Sequence, residues 1–269
     1  MTSEKEVIGN FEVEEGKLKT RREVLMMGAL AAGTLVATAS GAKAAEPVVA
    51  ATLPPTAVAK GGPIVAKDFS HLVTKNMDGL SAKQIEPHLK LYQGYVAKVN
   101  ELEALIPTID PNTPAPNATY HPLREALMEL SYAHNGVIYH ELYFHNLGGA
   151  GGEPTGDLRA AIDGRWGSYG KFMDFFKASG KCMRGWVLVG WNERDGSIET
   201  YGLDLHNMWV PANVIPIVVL DVYEHAYMID YGTNRGNYLD AFLKNMDWKV
   251  CEARFERARR HPFGPESTV

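Results

Sequence analysis

The sequence predicts an α+β protein in which an antiparallel helical hairpin comes first and a region of short strands and helices follows. Three observations carry this. Residues 80–106 and 123–147 place apolar side chains at helical spacing over long stretches, the segment between them is rich in proline, and from Gly148 onward short β-branched runs alternate with glycine turns. With 269 residues, 45% of them apolar, the chain is long enough to bury a substantial core. Its net charge of -5 is mild and argues against a nucleic-acid partner, which would require a basic face; a small-molecule partner fits better.

Taken in order, residues 1–45 have the make-up of an export leader. Arg21 and Arg22 stand before the apolar stretch 24–39, and Ala42 and Ala44 offer small side chains to a signal peptidase. The segment resembles a bacterial twin-arginine signal, cleaved near Ala44 or Ala45, and implies a periplasmic or extracellular destination. An uncleaved membrane anchor is the alternative, but the stretch is short and rich in Ala, Gly and Thr, so no stable membrane association is expected after cleavage. The twin-arginine route carries proteins already folded, which suits one that must acquire a metal ion in the cytoplasm. Residues 46–67, rich in Ala, Pro and Val, read as a linker or an arm laid on the surface.

The folded part divides into a hairpin domain, 68–149, and an α+β domain, 150–262, with a tail at 263–269. In the first helix Ile85, Leu89, Tyr92, Val96, Val99, Leu102 and Leu105 recur at helical spacing, and Ser81 is placed to cap it. Residues 107–122 hold five prolines and form the loop. In the second domain two short helices reach to about residue 179. Strands over 185–191 and 198–202 then flank the turn at Arg194, Asp195 and Gly196, and a third strand covers 214–220 before further helices. Cys182 and Cys251 lack paired spacing and are read as core thiols.

The chemistry gathers at the end of that third strand. Asp221 follows a buried apolar run and His225 lies four residues on, so an oxygen and a nitrogen ligand can share one ion; alone, the pair serves equally as a strand-end cap and a hydrogen-bonded core histidine. His88 and His140 each sit in an aromatic, apolar helix, where an imidazole is costly to bury unless paired or ligating. Either one alone reads as a satisfied core residue. Three histidines and one aspartate together make a nitrogen-rich site suited to iron or manganese.

Asp221-x-x-x-His225, with Gly151, Gly152, Glu153 and Pro154 and the segment Arg184, Gly185, Trp186, resembles the iron/manganese superoxide dismutases over about residues 68–255. The resemblance implies an N-terminal helical hairpin, a C-terminal α+β domain with a three-stranded antiparallel sheet, and one iron or manganese ion per subunit on His88, His140, Asp221 and His225. Superoxide would be the substrate, disproportionated to oxygen and hydrogen peroxide. Tyr95 matches the tyrosine at the mouth of the substrate funnel. Tyr92, Tyr143 and Trp186 would stand around the ligands, and Glu224 would bridge to the His225 of a second subunit, implying a homodimer.

The match departs from the family pattern at several places. The family has a histidine four positions after the first ligand and the gate tyrosine at eight; here Tyr92 is at four and Tyr95 at seven, which implies that a one-residue π-bulge is absent. Met228 replaces the tyrosine that pairs with that histidine across the dimer. The glutamine that tunes the site is also missing, since Gly136 stands at the iron-type position and Cys182 at the position assigned to the manganese type. Tyr223 and Phe144 replace tryptophans. A second reading is therefore a dismutase-like metal-binding protein with altered or lost activity, and a third is a metal-free structural module, against which four retained polar groups count.

The remaining histidines, His71, His121, His134, His145, His206 and His261, are expected at the surface or as caps, with His145 the one placed to reach the pocket. The Asn117 sequon reads as a turn, and the glycines at 148–152 lack the strand-loop-helix setting of a phosphate cradle.

Overall fold

The computed structural model describes residues 62–260. The leader, most of the linker, the tail and His261 lie outside them. The described part of the arm is laid on the hairpin: Ile64 exchanges two 2.9 Å hydrogen bonds with the Asn100 amide, and the Lys67 backbone N–H donates to the Tyr92 hydroxyl at 2.8 Å.

After a single turn, α1 (His71–Thr74), the first long helix α2 (Ala82–Leu105) starts where Ser81 accepts a hydrogen bond from the Gln84 N–H. Its buried residues Ile85, Leu89, Tyr92, Val96, Val99 and Leu102 follow the expected period, Leu105 at the last turn is exposed instead, and the helix is α throughout, with no π-bulge between His88 and Tyr95. The proline loop then leads to α3 (Pro122–Asn146). Pro122 takes the first helical position, where no N–H is needed, and His121 caps the helix by accepting from the Leu123 N–H at 3.1 Å. The two helices pack against one another through these faces.

Beyond the hairpin a glycine turn crosses the chain near its C-terminal end. Gly149 N–H donates to Asn245 O and Gly151 N–H to Met246 O, each at 3.0 Å, and a Cβ on Gly149 would lie 2.1 Å from the Met246 carbonyl, so only glycine fits. Helices α4 (Gly156–Trp166) and α5 (Tyr169–Cys182) follow. The antiparallel sheet has three strands, β1 (Trp186–Asn192), β2 (Ser197–Leu203) and β3 (Val214–Asp221), in the order β2-β1-β3. Pro216, which cannot donate to the ladder, sits on the edge strand β3 beside an irregularity in its pairing with Val189 and Gly190. After a 3-10 turn (Glu224–Ala226), the described chain ends with α6 (Met228–Tyr231), α7 (Arg235–Lys244) and α8 (Trp248–Ala258).

Arg254 on α8 ties the layers together, donating to Leu142 O, Asn146 Oδ1 and Ile217 O at 3.0, 2.6 and 3.1 Å. The fold is therefore the expected hairpin followed by an α+β region with a three-stranded antiparallel sheet. Cys182 departs from its expected place in the core: Cys251 is buried but Cys182 is exposed, because the buried stripe of α5 runs through Phe172, Phe176 and Gly180 and position 182 falls off it. Among the described residues no helix is long and apolar enough to cross a membrane.

Candidate metal centre

His88 comes from the second turn of α2, His140 from near the end of α3, Asp221 from the last residue of β3 and His225 from the 3-10 turn that follows. One ligand atom from each falls within 4.8 Å of all the others. The Asp221 Oδ2 atom is the centre of the group, 3.1 Å from the Nε2 atoms of His88 and His225 and 3.7 Å from that of His140. Three of the four side chains are fully buried, while His225 keeps about 29% of its side chain exposed.

Neighbouring groups hold His140, Asp221 and the turn that carries His225 from behind, whereas His88 Nδ1 is buried with no hydrogen-bond partner. The Gly136 carbonyl takes a 2.5 Å hydrogen bond from His140 Nδ1, which leaves Nε2 as an unprotonated acceptor; that atom is buried and has no protein partner. Asp221 Oδ1 accepts from the Tyr223 N–H at 2.9 Å, so Oδ2 is the oxygen turned to the histidines, and Tyr238 donates to the Asp221 backbone carbonyl at 2.6 Å. The turn carrying His225 is clamped to α2 by Gln84, whose amide donates to His225 O at 2.5 Å and accepts from Ile229 N–H at 3.0 Å. Ser81 adds two hydrogen bonds to Asp230.

Burial pulls the His88 and His140 imidazoles below their ordinary pKa despite the neighbouring carboxylate, so both stay neutral with a lone pair to offer. Burial alone would raise the Asp221 carboxyl. The His225 charge and the hydrogen bonds of His225 and His88 outweigh it and hold Asp221 below the usual carboxylate range. Three imidazole nitrogens and one carboxylate oxygen, with His88 Nδ1 and His140 Nε2 both left without a hydrogen-bond partner in the interior, fit a divalent or trivalent transition metal such as iron or manganese.

The surroundings are aromatic. Phe144 and Tyr143 lie 4.9 and 5.2 Å from the His88 ring, Trp186 meets His140 edge-on at 5.1 Å, and Tyr223 stacks on His225 at 5.2 Å. Tyr143 is fully buried and shares a 3.2 Å hydrogen bond with Tyr238. Tyr92 is also buried, but its hydroxyl turns toward the arm, where it bonds Lys67 and Glu141. Glu224 is exposed.

Tyr95 stands 5.4 Å from His140, ring to ring, in the space that opens over Gly136. A Cβ at position 136 would come within 2.9 Å of that ring, so the space beside residue 136 is filled by Tyr95.

His206 is the residue that sequence reasoning missed. Expected at the surface or as a cap, it is completely buried, accepting from Trp186 Nε1–H at Nδ1 and meeting the Tyr95 hydroxyl at Nε2, both at 2.8 Å. The strand register explains the error. Trp186 pairs with Leu203, so the residues just past β2 come back beside Trp186, and Asn207 and Asn135 pin that loop to α3. Burial pushes the His206 imidazole down to about 4, so it stays neutral. Of the others, His71 and His145 are exposed, His121 is a cap and His134 lies near Glu103.

An iron superoxide dismutase of Aquifex aeolicus (strain VF5) is 39% identical over 193 residues, which cover 71% of this chain and 91% of that protein. The chain belongs to the iron/manganese superoxide dismutase family. An iron superoxide dismutase of Cupriavidus metallidurans is 37% identical over 68% of this chain and 92% of its own length. Manganese superoxide dismutase 1 of Halobacterium salinarum is 34% identical over 49% and 67%. The model of the C-terminal domain of iron/manganese superoxide dismutases matches residues 154–254, the stretch that carries Trp186, His206, Asp221 and His225. Iron and manganese members both appear among these relatives, so membership in the superoxide dismutase family leaves the choice of metal to the site.

Proposed function

We propose that this superoxide dismutase converts superoxide to oxygen and hydrogen peroxide at one iron or manganese ion per subunit, held by His88, His140, Asp221 and His225. The observation that carries this is the convergence of four ligand atoms, from four separate places in the chain, inside an aromatic cage that opens at His225 and Tyr95. Bound there, the metal supplies a one-electron couple, by which one superoxide is oxidised and the next reduced. The protein's part is preparation. The Gly136 carbonyl and the Tyr223 N–H engage the far atoms of His140 and Asp221, Phe144 and Trp186 keep bulk water from the buried face, and the Tyr95 ring packs 5.4 Å from that of His140.

A homodimer is part of the same reading. It is supported by the exposed Glu224, the open side of His225 and the apolar Met228 and Ile229 beside them, which are 40% and 56% exposed. The leader composition supports export from the cytoplasm, after which the mature protein would act in the periplasm or outside the cell.

The deciding experiment measures superoxide disappearance per bound metal, on mature protein loaded separately with iron and with manganese. Fast turnover with either is expected and names the metal. Tight binding with negligible turnover for both ions would overturn the dismutase reading in favour of a metal-holding relative, the alternative motivated by the absent glutamine. Replacing His140 with Ala is expected to abolish stoichiometric metal; a variant that kept one ion per subunit would sink the ligand assignment.

A further inference from the structure

The hairpin supplies two of the four candidate ligands, His88 from α2 and His140 from α3, so their spacing depends on how the two helices are held at that level. Residues 64–67 hold them from outside. Ile64 and Ala66 turn inward onto the core while Val65 and Lys67 turn outward, the alternation of an extended strand. Side chains of the hairpin take the place of a neighbouring strand. The Asn100 amide satisfies both the N–H and the carbonyl of Ile64, at 2.9 Å each, and the Tyr92 hydroxyl accepts from the Lys67 N–H at 2.8 Å.

At Lys67 this arm reaches both helices at once. Tyr92 lies one turn beyond His88 on α2, and Glu141 follows His140 directly on α3. The Tyr92 hydroxyl donates to Glu141 Oε1 at 2.9 Å, and the Lys67 ammonium pairs with Glu141 Oε2. Behind that hydroxyl the Tyr92 ring is buried, stacked over His140 at 6.4 Å and meeting Phe144 edge-on at 6.1 Å. A closed circuit of Lys67, Tyr92 and Glu141 thus spans the two ligand-bearing helices. We propose that residues 64–67 are a strap that fastens the hairpin half of the metal site, with Lys67 the positioning residue for Tyr92 and Glu141, and that a bound ion is released through the state in which the strap is undone. The inference rests on the ligand assignment of the metal reading and not on turnover. Asn100 anchors the strap from a distance, about three turns of helix and about 18 Å beyond His88.

The test undoes the strap from that far end, with Asn100→Ala in the full chain loaded with iron or manganese. Two rates are read: exchange of the Ile64 and Lys67 amide hydrogens, and transfer of the ion to excess EDTA. Losing two hydrogen bonds of ordinary strength should raise both on the order of tenfold, and by the same factor, because both report the population of the undone strap. Asn100→Asp keeps an acceptor for the Ile64 N–H and loses the donor, so both of its rates should fall between those of Asn100→Ala and wild type. Ser168→Ala, which removes the cap of α5, separates a merely structural effect: it should lower the melting temperature and leave ion transfer at the wild-type rate. Failure of either rate to rise in Asn100→Ala, or equal acceleration of ion transfer in Ser168→Ala, would overturn the proposal. A wild type that holds no ion would overturn the ligand assignment and this inference together. Neither rate requires turnover, so a wild type that holds an ion without dismutating superoxide would overturn the dismutase reading, while the strap is judged on the same two rates.

Discussion

A methyl group at position 136 would meet the Tyr95 ring at 2.9 Å, and the helix backbone on one side leaves the ring as the part that must move. Gly136→Ala is therefore expected to destabilise the protein by about 1–3 kcal/mol through overpacking, and to displace the Tyr95 ring as well, checked by thermal unfolding beside turnover. His206 gives a second expectation at this scale. The unfolded chain takes up a proton there near pH 6.5, while the folded protein refuses it down to about 4, so stability contributed by neutral His206 is present above that window and lost as pH falls through it. In His206→Gln the slope of unfolding free energy between pH 4 and 6.5 should be shallower, by at most about 1.4 kcal/mol per pH unit, measured by urea unfolding at equal metal loading. For the cysteines, burial pushes the Cys251 thiol up to about 12, whereas Cys182 is exposed. Alkylation of the folded protein should label Cys182 alone, and labelling of Cys251 without denaturant would contradict the packing.

At the scale of elements, what sequence could reveal depended on whether the cause was local. The hairpin was legible because Ile85, Leu89, Tyr92 and Val96 repeat at a period that belongs to one helix, and Ser81 and Pro122 announce where each helix starts. Asp221 was legible for the same reason, as the polar end of an unbroken apolar strand. The position of His206 was not, because its burial follows from the pairing of Trp186 with Leu203 and from two asparagine contacts to α3, none of which has a local pattern. Cys182 misled in the opposite way, standing on an apolar helix but two residues past its buried stripe. Arg254 belongs to this scale too, since it joins α8 to α3 and β3 through three acceptors. Arg254→Ala leaves those acceptors without their donor and is expected to cost about 2–4 kcal/mol, seen as a lower denaturant midpoint with unchanged m.

Over the whole molecule, the site couples metal to stability because it gathers three imidazoles and a carboxylate that have no collective reason to meet in the unfolded chain. Loaded protein is expected to melt above metal-free protein by an amount that grows with free metal concentration, and His140→Ala should remove that dependence. The distance along the chain between the ligands has its own consequence. His88 and Asp221 are 133 residues apart. At a synthesis rate of about 5–20 residues per second, the carboxylate is made roughly 7–27 seconds after the first histidine. During that interval a ribosome-bound chain holds an incomplete set of ligands and has little means of discriminating between ions. The full set of candidate ligands thus exists only once β3 and the turn after it have been made, so any choice between ions falls after that point.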